Sequence, residues 1–266
     1  MIDIDIAIQR PDLELRLPAE RDSLPVVRQA LRSLGEAVDA DLESLEDSEL
    51  AVTEACANAI EHAYADAPGT VEVTLTPQRT SMLVEVRDRG RGMSAPAAAG
   101  TTGSGFGLSM IEGIATQLEI RPGRERGTDV SMTFDMGQEP LSLNGHKRPD
   151  AAPAERIARR VVAVIAAQTD MPSDRLVESL LVVELAARHS RHYLVGEHIQ
   201  LSLERRERGF DLRLGPLVPD GAFALVRESE LPVVGSVIER LSDAVGVEPA
   251  VDGERLSLRI ESRRPR

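Results

Sequence analysis

Apolar and polar positions change period several times along this chain, and each change marks an element. Leu13, Leu15 and Leu17 alternate with charged residues and predict a half-buried strand. Ser23–Val38 then places Leu24, Val27, Leu31 and Leu34 on one side of a helix. In the next helix, Leu45–Tyr64, the residues Val52, Cys56, Ala59 and Ala63 form a stripe of small apolar side chains suited to lying on a sheet. Glu54, Asn58 and either Glu61 or His62 fall three or four residues apart on another face of that helix. After a turn at 66–69, strands are expected over Thr70–Leu75 and Met82–Arg87. A helix over Leu108–Leu118 and a hairpin of Glu119–Arg121 with Val130–Phe134 complete a layer of helices on one face of a sheet.

Three segments break these periods with glycine. Val84–Met93 ends in Asp88-x-Gly90-x-Gly92, Gly100–Ile111 reads GTTGSGFGLSMI, and Gly127–Phe134 is a glycine turn into a strand. The carboxylate of Asp88 suits an exocyclic amine, and Gly90 and Gly92 let a flat ring approach the backbone. Gly103, Ser104, Gly105, Phe106, Gly107 and Leu108 run from free amides into a helix N-terminus, an arrangement that favours anions. Asn58 offers a hard oxygen one turn from the carboxylate of Glu54, a set suited to a hard cation and to polarising a hydroxyl.

The helix LAVTEACANAIEHAY (Leu50–Tyr64) and these three glycine segments, in this order, resemble the N box and the three glycine boxes of the Bergerat-fold (GHKL) ATPases. Within that superfamily the chain looks like the anti-sigma-factor serine kinases, over about residues 8–137. The resemblance implies an α/β (α+β) two-layer sandwich with helices on one face of a mixed sheet. It also implies ATP and Mg2+ as cofactors, with Asn58 as metal ligand, Glu54 activating the attacking hydroxyl, Asp88 as adenine anchor and Thr128 supporting it. Gly90, Gly92 and the segment Gly103–Leu108 would line the nucleotide. The implied activity is sequestration of a sigma factor and phosphorylation of a serine or threonine on an anti-anti-sigma (STAS-domain) partner. The alternative is an ATP-gated protein-binding regulator that transfers nothing. A histidine kinase catalytic domain is disfavoured because no histidine-bearing dimerisation helices precede the ATP region, and a gyrase-type ATPase because no transducer domain follows.

Residues 138–152 (QEPLSLNGHKRPDAA) read as a linker, and residues 153–266 repeat the first half. Pro18–Arg21 and Pro153–Arg156 both read PAER, and Leu50–His62 aligns with Leu180–His192 without a gap. Glu184 falls on Glu54, Arg188 stands in place of Asn58, and Leu214 is assigned to the place of Asp88. Three bodies follow: an ATP-binding domain at 1–137, the linker, and a degenerate copy at 153–266 without nucleotide ligands. The sandwich is thus expected twice in tandem, as an intramolecular pseudo-dimer or within a homodimer.

Composition narrows the partners. The chain carries a net charge of −13, and its first 140 residues hold 25 acidic against 12 basic side chains, while the remainder holds 19 of each. An acidic ATP domain argues against a nucleic-acid backbone as partner. Asp39–Glu49 is the most acidic stretch and reads as a solvated helix N-terminus. The single cysteine excludes an internal disulfide. Acids at the N-terminus and the lack of a long apolar run predict a cytoplasmic protein without a membrane span. His62 reads as structural, and His189 with His192 as surface residues.

Overall fold

A computed structural model describes residues 12–64, 68–78, 80–91, 106–124, 126–137, 153–196 and 199–262. The chain divides into two compact bodies, Leu13–Ser142 with Leu203–Arg206, and Leu143–Ser202 and Glu207–Arg266 with Met1–Asp12. The linker read at 138–152 lies outside the described residues.

The first body runs β1 (Asp12–Pro18), α1 (Leu24–Ala37), α2 (Leu42–Asn58), β2 (Thr70–Pro77), β3 (Ser81–Asp88), α3 (Phe106–Ile114), β4 (Gln117–Pro122) and β5 (Thr128–Asp135). Its strands lie in the order β1-β2-β3-β5-β4. The sequence predicts a mixed sheet; within this body the four pairings are all antiparallel. β3 and β4 both oppose β5, so they run the same way with β5 between them, and α3 is the crossover. Alternation sorts the faces as expected. Leu13, Leu15, Leu17, Val71, Val73, Leu75, Met82, Val84 and Val86 are buried, and their neighbours in sequence are partly exposed. From α1 come Val27, Leu31 and Leu34, and from α2 Val52 and Cys56, to close an aliphatic core. Burial pushes the Cys56 thiol up to about 12, the behaviour of a packing residue.

Two boundaries differ from the sequence reading. The N-box helix does not run as one α-helix to Tyr64: after Asn58 it widens into a π-turn, Ala59–Ala63. The third helix ends at Ile114 rather than Leu118. Thr116 already joins the sheet, its amide and hydroxyl each donating to the Thr133 carbonyl at 2.8 Å, so Gln117 and Leu118 belong to β4. The acidic stretch is a helix start, as read: Asp41 caps α2 by accepting from the Ser44 amide at 2.9 Å, which holds its carboxyl below the usual range. Of the acidic side chains in that stretch only Glu49 is buried, in a bidentate pair with Arg32 at 2.8 and 2.7 Å.

The second body runs α4 (Pro153–Gln168), α5 (Ser173–Ser190), the start of β6 (Gln200–Arg206, of which Leu203–Arg206 group with the first body), β7 (Gly209–Leu217), α6 (Gly221–Glu228), a two-rung hairpin β8 (Glu230–Leu231) and β9 (Gly235–Ser236), α7 (Val237–Leu241), β10 (Ala244–Ala250) and β11 (Gly253–Glu261). Its strand order, β6-β7-β11-β10, is the order β2-β3-β5-β4 over again. Two helices precede the four strands in both bodies, and α6 is an element the sequence reading did not foresee. A buried Arg175 ties this body together: it pairs with Asp243 and donates to the carbonyls of Leu241 at 2.7 Å and Glu261 at 3.0 Å.

Candidate functional site

Strand parity aims Asp88 at the helices. It follows Met82, Val84 and Val86 on the inward face of β3 and is only 6% exposed. Both carboxylate oxygens receive backbone amides, Oδ1 from Gly90 at 2.9 Å and Oδ2 from Thr128 at 3.1 Å. Burial raises its pKa, with the Gly90 amide and the Thr128 hydroxyl and amide opposing the rise. Gly127, at φ +85°, is required here: a Cβ would sit 2.0 Å from the Asp88 carbonyl oxygen and 2.7 Å from Oδ1. Asp88, Gly90 and Thr128 therefore form one cluster, with two backbone amides and the Thr128 hydroxyl directed at a buried acceptor.

The N-box helix crosses from this cluster to the start of α3. At its far end the Ala63 carbonyl lies so close to Gly90 that a Cβ there would meet it at 2.2 Å. Nearer its middle, Glu54 meets the first turn of α3, where a Cβ on Gly107 would stand 2.1 Å from Glu54 Oε1. Glu54 and Asn58 are half-buried, one turn apart, and Gly107 is buried with Leu108 half-exposed beside it. Phe106 opens α3. Gly92, Gly103, Ser104 and Gly105 lie outside the described residues. Glu61 and His62 fall on the π-turn and are exposed; Glu61 pairs with Arg21 at 2.5 Å. A concavity of about 800 Å³ runs over the outward rows of the sheet, between Glu85, Arg87, Glu119 and Arg121, and reaches Asp88 and Arg89 at the strand end.

Among the described residues no three His, Cys, Asp or Glu side chains gather to hold a metal. A lone carboxamide beside a carboxylate fits a cation that draws most of its ligands from phosphate and water, as magnesium does. Tyr64 is the neighbour that the sequence reading gave no role. Its hydroxyl reaches the residue after Asp88, and the only hint was an aromatic residue closing the N-box helix.

In the second body, Gly253 stands to Leu217 as Gly127 stands to Asp88: at φ +144°, a Cβ on it would lie 2.2 Å from the Leu217 carbonyl. The residue in the place of Asp88 is thus Leu217, not Leu214. The β2–β3 connection leaves 78–80 between the strands and β6–β7 only 207–208, and β7 carries an extra residue between Leu214 and Leu217, opposite Leu256 and Glu254, so an ungapped alignment slips here. Glu254, in the place of Thr128, accepts the Ala222 amide of α6 at 2.8 Å. Arg188, in the place of Asn58, binds Glu184 at 2.6 Å and Glu155 at 3.3 Å. His192 is exposed and His189 half-exposed, in keeping with the surface reading, and both approach Glu228 of α6, at 3.4 and 2.8 Å.

The first body thus presents a buried acceptor at a strand end and a helix carrying half-buried Glu54 and Asn58. The family model described as histidine kinase-like ATPase domain matches residues 17–134 of the chain. The serine-protein kinase RsbW of Bacillus licheniformis is similar at 28% identity over 141 residues, covering 48% of this chain and 87% of that protein. The serine-protein kinase RsbW of Staphylococcus aureus is similar at 23% identity over 150 residues, covering 51% and 93%. A histidine kinase domain from the blue-light-activated histidine kinase of Erythrobacter litoralis aligns with a TM-score of 0.32 at 23% identity, over 41% of this chain and 61% of that one. Among the described residues no helix is long and apolar enough to cross a membrane.

Proposed function

We propose that the first body is an ATP-dependent serine/threonine protein kinase of the anti-sigma-factor type. It would sequester a sigma factor and phosphorylate a STAS-type antagonist. The observation that carries this reading is the buried Asp88, held by the Gly90 and Thr128 amides, on the same helix-facing side as Glu54 and Asn58. Asp88 accepts the adenine amine, and the glycine-rich segment 103–107 leading into α3 receives the phosphates. Asn58 holds Mg2+ together with phosphate oxygens, and the ion supplies charge neutralisation at the transferring phosphoryl group. Glu54 takes the proton of the attacking hydroxyl as its oxygen bonds to the γ-phosphorus and ADP departs with the bridging oxygen. The two curated relatives named serine-protein kinases, each covered over most of its length, support this reading over an ATPase of another kind.

The second body we read as a degenerate copy, on its repeated strand order and the equivalence of Gly253 with Gly127. Leu217 removes the adenine acceptor, Arg188 replaces the metal ligand with a cation, and α6 is anchored on Glu254, where the first body has Thr128. The test of the kinase is transfer of label from Mg-ATP to a purified STAS-domain antagonist. Asn58→Ala should abolish magnesium-dependent transfer, and full transfer by that variant would overturn the metal assignment. Nucleotide binding without transfer to any antagonist would instead favour the ATP-gated regulator.

A further inference from the structure

Three consecutive backbone amides follow Asp88, and each has a fixed acceptor. Arg89 N–H donates to the Tyr64 hydroxyl at 2.7 Å, Gly90 N–H to Asp88 Oδ1 at 2.9 Å, and Arg91 N–H to the Ala63 carbonyl at 3.1 Å. Two of the three acceptors belong to the end of the N-box helix. They are available because that helix widens into the π-turn Ala59–Ala63. In an i→i−4 ladder the Ala63 carbonyl would look for a partner further along the helix; here the chain turns away at Tyr64 and the carbonyl receives Arg91 instead. The Tyr64 hydroxyl is committed at both ends, since it also donates to the Thr70 carbonyl at 2.8 Å. Its ring lies against Gly69, where a Cβ would overlap it at 2.1 Å. Tyr64 thus spans the first residue of β2 and the turn after β3.

We propose that Tyr64 is a positioning residue for purine recognition: with the π-turn, it fixes the Asp88–Arg91 turn so that the Asp88 carboxylate keeps one orientation. The inference rests on the nucleotide reading above. The Gly90 amide can steer Oδ1 only while the Arg89 and Arg91 peptides on either side are held, and those holds come from the helix that also carries Asn58 and Glu54. The purine end and the metal end of the site are in this way parts of one rigid hydrogen-bonded strip. A phenylalanine would keep the packing on Gly69 and lose both hydrogen bonds.

The experiment compares full-length wild-type protein and Tyr64→Phe by calorimetry with ATP and with GTP, alongside hydrogen exchange of the backbone amides. Loss of one such bond to the turn should weaken ATP about five- to tenfold. GTP, which carries a carbonyl at C6 where adenine carries its amine, should change little, so ATP-over-GTP preference shrinks. Exchange at Arg89 and Gly90 should accelerate while the amides of β2 and β3 stay protected. A residue that merely stabilises the fold would shift both nucleotides together. Unchanged ATP affinity and unchanged exchange in Tyr64→Phe, with wild type binding ATP, would overturn the role of Tyr64 alone. Wild-type protein that takes no ATP would overturn the nucleotide reading and this role with it.

Discussion

Replacing Asp88 with asparagine tests the site at its narrowest point. Both carboxylate oxygens already accept amide protons, from Gly90 at 2.9 Å and Thr128 at 3.1 Å. An asparagine has one oxygen, so its NH2 must face one of those two donors whichever way the amide is turned, and the third partner, the adenine amine, loses a charged acceptor. A hydrogen bond to a charged group contributes about 1.5–3 kcal/mol, which converts to about 10- to 150-fold in Kd. Calorimetry of wild type and Asp88→Asn with Mg-ATP reads this directly. A variant within about threefold of wild type would refute the argument that this carboxylate grips the base. The same pair of proteins carries a pH signature. Burial raises the folded-state pKa of Asp88 above its ordinary aspartate value, so the native protein holds that proton more tightly than the unfolded chain. Asp88's contribution to stability is therefore full below the ordinary aspartate pKa and is lost as pH rises through the elevated one. Denaturant titrations across that acid window should show wild type losing stability relative to Asp88→Asn as pH rises; wild type gaining stability relative to the variant would contradict the assignment.

Two further substitutions probe other links. Gly107→Ala should gain about 0.5–1 kcal/mol of helix propensity in isolation, yet its methyl would meet Glu54 Oε1 at 2.1 Å and displace that carboxylate. Phosphotransfer should fall about a hundredfold or more while the protein stays folded, and transfer at the wild-type rate would separate Glu54 from the chemistry. Arg175→Met leaves Asp243 without its cation and two carbonyls without a donor in the second body, at a cost of about 3–5 kcal/mol in denaturant unfolding. A loss below about 1 kcal/mol would mean that solvent reaches the pair.

What could be read in advance divides along physical lines. Alternation in Leu13–Leu17 and in β3 fixed which side chains face inward, and Asp88 inherits its direction from that parity. The π-turn was illegible because an i→i+5 turn has no composition of its own; AIEHA reads as ordinary helix, and the widening shows only in where the Ala63 carbonyl goes. The early end of α3 depends on Thr116 finding Thr133, a partner 17 residues away. Helix α6 was hidden by analogy: its sequence, GAFALVRE, buries Ala222, Leu225 and Val226 at helical spacing, but it occupies the stretch where the first half has a glycine-rich loop. The slip between Leu214 and Leu217 came from a shorter hairpin and a bulge, features that leave period-two patterns intact while moving their register.

Helix α6 also bears on how stability would depend on ligand concentration. On the proposed reading a nucleotide would stabilise the first half by an amount that grows with the logarithm of its concentration above the dissociation constant. The helix seated on Glu254 by its Ala222 amide is joined to its host through the backbone and has no concentration to run short of. On that reading one half would be tunable by a free ligand, while the helix of the other stays tethered at every concentration.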